Sequence, residues 1–168
     1  MSLLTPDDVE FLGRPLHGFF TVATGAVPPQ PRPVWFEVTA ERTVQLITEP
    51  GAAKVRRLHA DPRASLVVAA PAGERERWVA VAGRTTLETD GAHELAARLA
   101  ARYWDLGDAT RTAESEAMLS ADLLRVVIHP QQVARYSMTW PFSTRQVRSS
   151  RTFCNIRRSW VTSNSAPS

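Results

Sequence analysis

The sequence predicts a mainly β fold with flanking helices, in which antiparallel strands close into a barrel or a sandwich. About seven segments have strand composition, and most are joined by only a few residues. Such short links indicate antiparallel pairing, because parallel neighbours need a long crossover. The hydrophobic fraction of 43% and the charged fraction of 22% are typical of a globular domain with a core. Many short strands favour a closed sheet.

The chain begins with a predicted short helix. Thr5 can cap it, Pro6 suits the first helical position, and Gly13 can end it. The segment 17–24 (HGFFTVAT) is rich in β-forming residues and predicts a strand. The proline-rich segment 26–31 predicts the loop that follows.

Two more strands and a helix come next. The segments 33–39 (PVWFEVT) and 44–48 (VQLIT) predict a pair of strands joined by a tight connection. The segment 51–59 predicts a short helix that ends before Asp61-Pro62, because a residue preceding proline avoids helical geometry.

The second half of the domain alternates strands with helices. The apolar run 64–70 predicts a buried strand, and 76–88 predicts a long strand in which Gly83 indicates a bulge or a close backbone approach. Helices are predicted over 92–103 and 112–119. The last two predicted strands, separated by Pro130, are 123–129 and 132–138.

The charge is distributed unevenly along the chain. We expect a domain over residues 1–140 and an Arg/Ser-rich tail over 141–168 that is flexible or crosses to a neighbouring subunit. The segment 139–168 carries five arginines and no acid, so the overall net charge of +3 depends on it. The rest has fifteen basic and seventeen acidic side chains, a net of −2, which argues against a nucleic-acid partner for the body.

Several classes of protein and site are disfavoured by simple counts. No apolar run reaches the ~20 residues that span a bilayer. The single cysteine, Cys154, excludes an internal disulfide framework and a cysteine-rich zinc site. The four histidines lack metal-ligand spacing, so no metal is expected. Acids near the N-terminus do not suit a secretory signal, and a cytoplasmic location is expected.

Lys54 is the only lysine in the chain, and it stands just inside the predicted helix 51–59. The first turn of a helix has free N–H groups and a partial positive charge, so it binds phosphate readily. The alternative is an ordinary exposed helix lysine. We interpret Lys54 as part of a phosphate or cofactor-phosphate site.

Five segments, taken in order, resemble a known superfamily. They are RPVWFE (32–37), LIT (46–48), GAAKVRRL (51–58), DPRASLVV (61–68) and RWVAVAGR (77–84). This order is similar to that of the FMN-binding split-barrel superfamily, which includes pyridoxamine 5′-phosphate oxidases and flavin- or deazaflavin (F420)-dependent oxidoreductases. The resemblance implies a six-stranded antiparallel split β-barrel. It also implies a homodimer that holds its cofactor in the groove between subunits and acts on a small-molecule substrate.

The resemblance also implies which residues contact the cofactor. Arg32, Thr48 and Lys54 correspond to residues that contact the cofactor phosphate. The backbone of Val34, Trp35 and Phe36 would lie against the flavin or deazaflavin ring. Trp35, Phe36 and Trp78 either wall the ring pocket or belong to the core, and Arg57, with Arg56, either leans toward the phosphate or pairs with acids. The complete expected set is Arg32, Val34, Trp35, Phe36, Thr48, Lys54, Val55, Arg57 and Trp78.

Departures from the family pattern argue against pyridoxamine 5′-phosphate as the substrate. This chain has Glu37 where the oxidases have a second lysine, Ala53 where they have an arginine, and Trp78 where they have a glutamine. Their C-terminal substrate motif is absent. A carboxylate beside a phosphate is repulsive, so either Glu37 points away or the pocket differs.

These observations favour an oxidoreductase that uses FMN or F420 and transfers hydride to or from a small organic substrate. Because the cofactor carries the hydride, no catalytic side chain can be assigned from the sequence. A second hypothesis is a non-enzymatic carrier of flavin, F420 or haem on the same fold. A third is an adaptor whose arginine-rich tail binds nucleic acid.

Overall fold

The computed structural model describes residues 3–138. The predictions made for the tail and for Cys154 lie outside the described residues. The chain forms four helices and seven strands within this part. They are α1 (Pro6–Leu12), β1 (Gly18–Val22), β2 (Arg32–Val34), β3 (Glu37–Val38), β4 (Val44–Thr48), α2 (Ala53–Ala60), β5 (Arg63–Ala69), β6 (Arg77–Glu88), α3 (Ala92–Tyr103), α4 (Ala109–Leu119) and β7 (Leu124–Ser137).

All strands belong to one antiparallel sheet in the order β2-β1-β5-β6-β7-β4-β3. The two outer strands, β2 and β3, are consecutive in the chain, and only Trp35 and Phe36 separate them. Together β2 and β3 form one interrupted strand over residues 32–38, here called the closing strand. Its first part, β2, pairs with β1, and its last part, β3, pairs with β4. The sheet therefore closes on itself and is split at those two residues. With the closing strand counted once there are six strands, and the predicted split barrel is confirmed.

Two of the predicted strand boundaries are wrong. The segment 33–39 is not one continuous strand, because its pairing changes from β1 to β4 at Trp35-Phe36. Residues 123–129 and 132–138 are not two strands but the single strand β7.

A bulge explains why Pro130 does not interrupt β7. Ala82 faces Gln132 and Gly83 faces Pro130, so Gln131 is the extra residue. A bulge tolerates a residue that cannot donate to the ladder. A Cβ on Gly83 would stand 1.9 Å from the carbonyl oxygen of His129, which accounts for the glycine that the sequence singled out.

The barrel interior is apolar and is covered at its two ends by α1 and α2. Alternate residues of the strands point inward, and Phe36, Leu46 and Leu66 are fully buried there. Leu12 of α1 and Leu58 of α2 join the same core cluster.

Within residues 3–138, the outer face of the barrel is covered only in part. Helix α3 packs over β4 and β7, where Ala92, Ala96 and Leu123 form a second small core. Phe19 on β1 and Val67 on β5 remain 46% and 38% exposed on the uncovered part. No helix in residues 3–138 has the length and hydropathy needed to cross a membrane.

Candidate cofactor site

Two of the predicted phosphate-binding residues, Thr48 and Lys54, lie on either side of the short segment that joins β4 to α2. Thr48 is the last residue of β4, and the segment after it leads directly into α2. Arg32 begins the closing strand and pairs with Phe20, near the end of β1. The later part of the closing strand pairs with β4, where Glu37 faces Gln45 and Val38 faces Val44.

Thr48 and Val34 share the inward side of the barrel wall. Thr48 lies on the same face of β4 as the buried Val44 and Leu46, and it is only 8% exposed. Val34 packs against the core from the closing strand. Because Thr48 is the last residue of β4, its hydroxyl lies where the apolar interior meets the end of the barrel.

Helix α2 begins without a side-chain cap. Its N-cap residue is Ala52, whose side chain offers no acceptor to the N–H groups of the first turn. The first-turn donors of a helix are usually satisfied by a capping oxygen, by water or by a ligand. An uncapped start next to Thr48 suits an anionic group.

Lys54 lies in this first turn and is half-buried. Burial lowers the pKa of its ammonium, and the nearby Glu49 partly opposes that effect. Among the described residues Lys54 makes no ion pair and no side-chain hydrogen bond. A cation that has lost part of its hydration and has gained no direct partner is stabilised by a bound anion.

The two arginines that follow on α2 have separate roles. Arg56 donates to the carbonyl oxygen of Gly51 at 3.0 Å and braces the segment before the helix. Arg57 packs its guanidinium against Gly25, whose φ of 128° requires glycine. Arg57 thereby lines a small cleft under the β1–β2 loop. It forms no ion pair with an acid among residues 3–138.

Arg32 and Val55 also belong to this end of the barrel. Arg32 is exposed, and its guanidinium donates to Gln30 at 3.2 Å. Val55 is buried at the start of α2, so its side chain fixes the helix to the barrel. The backbone N–H of Val55 donates to the carbonyl oxygen of Ala52 at 3.0 Å.

Trp35 and Phe36 lie on opposite faces of the closing strand, as the alternation in the sequence predicts. Phe36 is fully buried in the barrel core. Trp35 points outward, stacks on Tyr103 with a centroid distance of 5.2 Å and meets Trp104 edge-on at 4.6 Å. Neither residue takes part in the strand pairing on either side of the split.

The Glu37 carboxylate is turned toward α3, away from the residues predicted to bind phosphate. It accepts three hydrogen bonds from Arg98 of α3, two from Nε and one from Nη2, in an ion pair of 2.5 Å. The pair raises the pKa of Arg98, first through the hydrogen bond from its guanidinium. The sequence left open whether Glu37 points away from the phosphate or the pocket differs, and the structure supports the former.

Trp78 is far from the other predicted site residues within one chain. It pairs with Tyr136 of β7, whereas Thr48 pairs with Leu124. Twelve residues of β7 separate those two positions, or about 40 Å of extended strand at ~3.3 Å per residue. Trp78 stacks on Tyr136 and lies on the outer face of the sheet.

Sequence reasoning missed the side chains of α3 that hold the closing strand. Arg98 and Arg102 lie four residues apart on one face of this helix and contact Glu37 and the ring of Phe36. The spacing of four residues between Arg98 and Arg102 was the available signal, because it places both side chains on one face of a helix. It does not reveal which strand, about sixty residues earlier, the helix would contact.

The closed antiparallel sheet, split at Trp35-Phe36, defines a protein of the split-barrel class. A family profile described as pyridoxamine 5′-phosphate oxidase matches residues 6–135. The chain therefore belongs to this family. No curated protein sequence matches it significantly.

Solved structures with the same fold cover most of the chain. A conserved hypothetical protein from Mycobacterium tuberculosis is 16% identical and has a TM-score of 0.66, covering 86% of this chain and 96% of its own. An F420 reductase is 22% identical with a TM-score of 0.58, covering 74% and 94%. An FAD-binding protein from Mesorhizobium loti is 20% identical with a TM-score of 0.54, covering 81% and 96%. At these low sequence identities, the structural similarity shows a shared fold alone.

Proposed function

We propose that this protein is a homodimeric oxidoreductase that binds FMN or F420 and transfers hydride between that cofactor and a small organic substrate. The observation that carries the proposal is the half-buried, unpaired Lys54 at the uncapped start of α2, beside Thr48. The F420 reductase and the FAD-binding protein with this fold support a cofactor of the flavin type.

The residues present fit a cofactor phosphate. Lys54 and the first-turn N–H groups of α2 would donate to the phosphate oxygens, together with the Thr48 hydroxyl. Arg32, whose one hydrogen bond in the described chain is to a neutral amide, can turn its guanidinium to the same group. When bound, the cofactor supplies the hydride chemistry. The chain's own contribution is to fix the phosphate, orient the ring along residues 34–36 and limit access of water.

Pyridoxamine 5′-phosphate is a poor candidate substrate. The position of the family's second lysine is occupied by Glu37, which is held by Arg98 and faces α3. No basic side chain replaces that lysine on the closing strand between Val34 and Val38. We therefore place the substrate outside the pyridoxamine phosphate class.

The uncovered outer face supports a homodimer. On this face, one outward-facing residue from each of five neighbouring strands forms a row in register, and all five residues are apolar. Large apolar patches on a protein surface mark association sites. A second copy on this face could bring its Trp78 to a site that the same chain's Trp78 cannot reach. The row consists of Pro33, Phe19, Val67, Ala80 and Ala134.

The alternative is a carrier that binds the cofactor without turnover. One observation favours it. Tyr103 stacks on Trp35 at the split, and its hydroxyl already donates to the carbonyl oxygen of Leu16 at 2.6 Å. Among the described residues, the Tyr103 phenol next to Trp35 is therefore already engaged and is not free to donate its proton to a substrate.

Fluorescence and absorbance titrations with FMN, F420 and haem, run side by side, test the proposal. We expect saturable binding of FMN or F420 and turnover of the bound cofactor with some member of a panel of small organic acceptors. Tight binding without turnover across the panel would favour the carrier. If none of the three cofactors bound saturably, both proposals would be excluded.

A further inference from the structure

Helix α3 holds the closing strand at the place where the barrel splits. Three side chains near the C-terminal end of α3, here called the α3 clamp, contact three consecutive strand residues. Arg98 pairs with Glu37, Arg102 lies over the ring of Phe36 at 5.8 Å, and Tyr103 stacks on Trp35. The clamp is defined as Arg98, Arg102 and Tyr103.

Tyr103 is the member of the clamp whose hydroxyl lies between the backbone before β1, at Leu16, and the closing strand, at Phe36. Its hydroxyl donates to the carbonyl oxygen of Leu16 at 2.6 Å and lies 3.4 Å from that of Phe36. Its ring is nearly parallel to that of Trp35, with an interplanar angle of 5°. Burial raises the pKa of Tyr103, so the phenol keeps its proton and remains a donor at neutral pH.

The split needs such support because the sheet does not supply it. The β1 ladder ends at Val34 and the β4 ladder begins at Glu37. Trp35 and Phe36 therefore have no strand pairing to fix their backbone, and unpaired backbone polar groups must find other partners. The contact from Tyr103 and the stack on Trp35 fix this backbone instead.

We propose that Tyr103 is a positioning residue, which sets the backbone of Trp35-Phe36 against the cofactor ring. Its hydroxyl is anchored on the carbonyl oxygen of Leu16 beside that of Phe36, and its ring stacks on Trp35. This inference rests on the proposed function, since residues 34–36 are there assigned to the ring. Tyr103 acts through the strand and not by contact with the reacting atoms.

The test compares Tyr103→Phe with the wild type after loading with FMN or F420, whichever the wild type binds. The variant keeps the aromatic stack and loses only the hydroxyl. We expect roughly 3- to 10-fold weaker binding, the effect of about one net hydrogen bond. We also expect the visible absorption bands of the bound cofactor to shift, because the ring environment changes.

Thr112→Val is the matched control. It removes a hydroxyl that donates to the carbonyl oxygens of Leu106 and Asp108 at the start of α4, away from the split. We expect its affinity and absorption bands to equal those of the wild type. If Tyr103→Phe does not fold, Arg98→Gln loosens the same strand from an exposed position and should shift the bands in the same way.

The outcomes separate this inference from the proposed function. If Tyr103→Phe matches the wild type in affinity and spectrum, or loses thermal stability with unchanged bands, Tyr103 has only a structural role and the inference is wrong. In both cases the cofactor proposal stands. If the wild type binds no cofactor, the proposed function fails and the inference fails with it.

Discussion

At the scale of single residues, Lys54 has an unusual combination of position and environment. It is half-buried, burial lowers the pKa of its ammonium, and Glu49 is the acid that opposes this effect. Below the lowered pKa the lysine is charged in both the folded and the unfolded chain, so its burial costs stability. That cost disappears as the pH rises toward 10.5, the ordinary value. A bound phosphate would remove the cost by restoring a partner.

This electrostatic argument predicts a pH dependence of cofactor affinity. The ammonium of the free protein loses its proton below pH 10.5, so binding of an anion should weaken as the pH rises from neutrality to that value. Lys54→Arg should show no such decline, because a guanidinium stays charged. Titrations of both proteins with the same cofactor cancel the cofactor's own ionisations. Parallel declines in the two proteins would contradict the assignment of Lys54.

The sequence identified Lys54 but could not reveal its surroundings. Its position after a strand and inside a helix start follows from local patterns. Its burial depends on how α2 packs on the barrel end through Val55 and Leu58. The tertiary contacts of Trp35 with Tyr103 were equally beyond prediction, because the two residues lie far apart in the chain.

At the scale of elements, helix α1 is fixed to the barrel by a nearly buried carboxylate. Asp8, at 2% exposure, forms a capping box with Thr5 and an ion pair of 2.9 Å with Arg135 of β7. Burial raises the pKa of Asp8, but the hydrogen bonds from Thr5 and Arg135 outweigh it and lower the pKa below 3.8. The sequence indicated the cap but not the partner on β7.

Asp8→Asn should therefore lower the free energy of unfolding by about 1–3 kcal/mol at neutral pH, since charged hydrogen bonds are lost. Because the folded pKa is lowered, this stabilisation is present above pH 3.8 and is lost as the pH falls through the folded value. Urea unfolding at neutral and acidic pH measures both effects. Asp7→Asn, at an exposed neighbouring site in the same helical turn, is the control. A difference between Asp8→Asn and the wild type that persists in strong acid would contradict the argument.

Element boundaries were predicted best where the local signal was strong. The Thr5 cap and the strand 44–48 were confirmed, and α3 occupies the predicted range 92–103. The errors occurred where tertiary structure decides. The strand 33–39 changes partners at the split, and Pro130 is accommodated by a bulge opposite Gly83.

At the scale of the whole molecule, the closure of the sheet was predictable only in part. Short links predicted antiparallel strands, and the family resemblance supplied the split barrel. The apolar row across the outer face emerges only from the register, which places Phe19 opposite Val67 and Val67 opposite Ala80. The homodimer proposed on this face remains a prediction.

Phe19→Asp should disrupt that homodimer, because a charge would be buried in an apolar interface. Sedimentation should show a monomer, with cofactor binding weakened if the partner's residues complete the site. Leu106→Asp is the control, since Leu106 is similarly exposed at 41% but lies between α3 and α4. A Phe19→Asp protein that stays dimeric, or a wild type that is monomeric, would show that this face is not the interface.

The most direct test of the central claim is the affinity of Lys54→Ala for the cofactor that the wild type prefers. Loss of a charged hydrogen bond to phosphate should weaken binding by roughly 1.5–3 kcal/mol. Arg75→Ala removes the same charge from an exposed turn between β5 and β6, and it should bind as the wild type does. Equal affinities of Lys54→Ala and Arg75→Ala would remove Lys54 from the site and contradict the account.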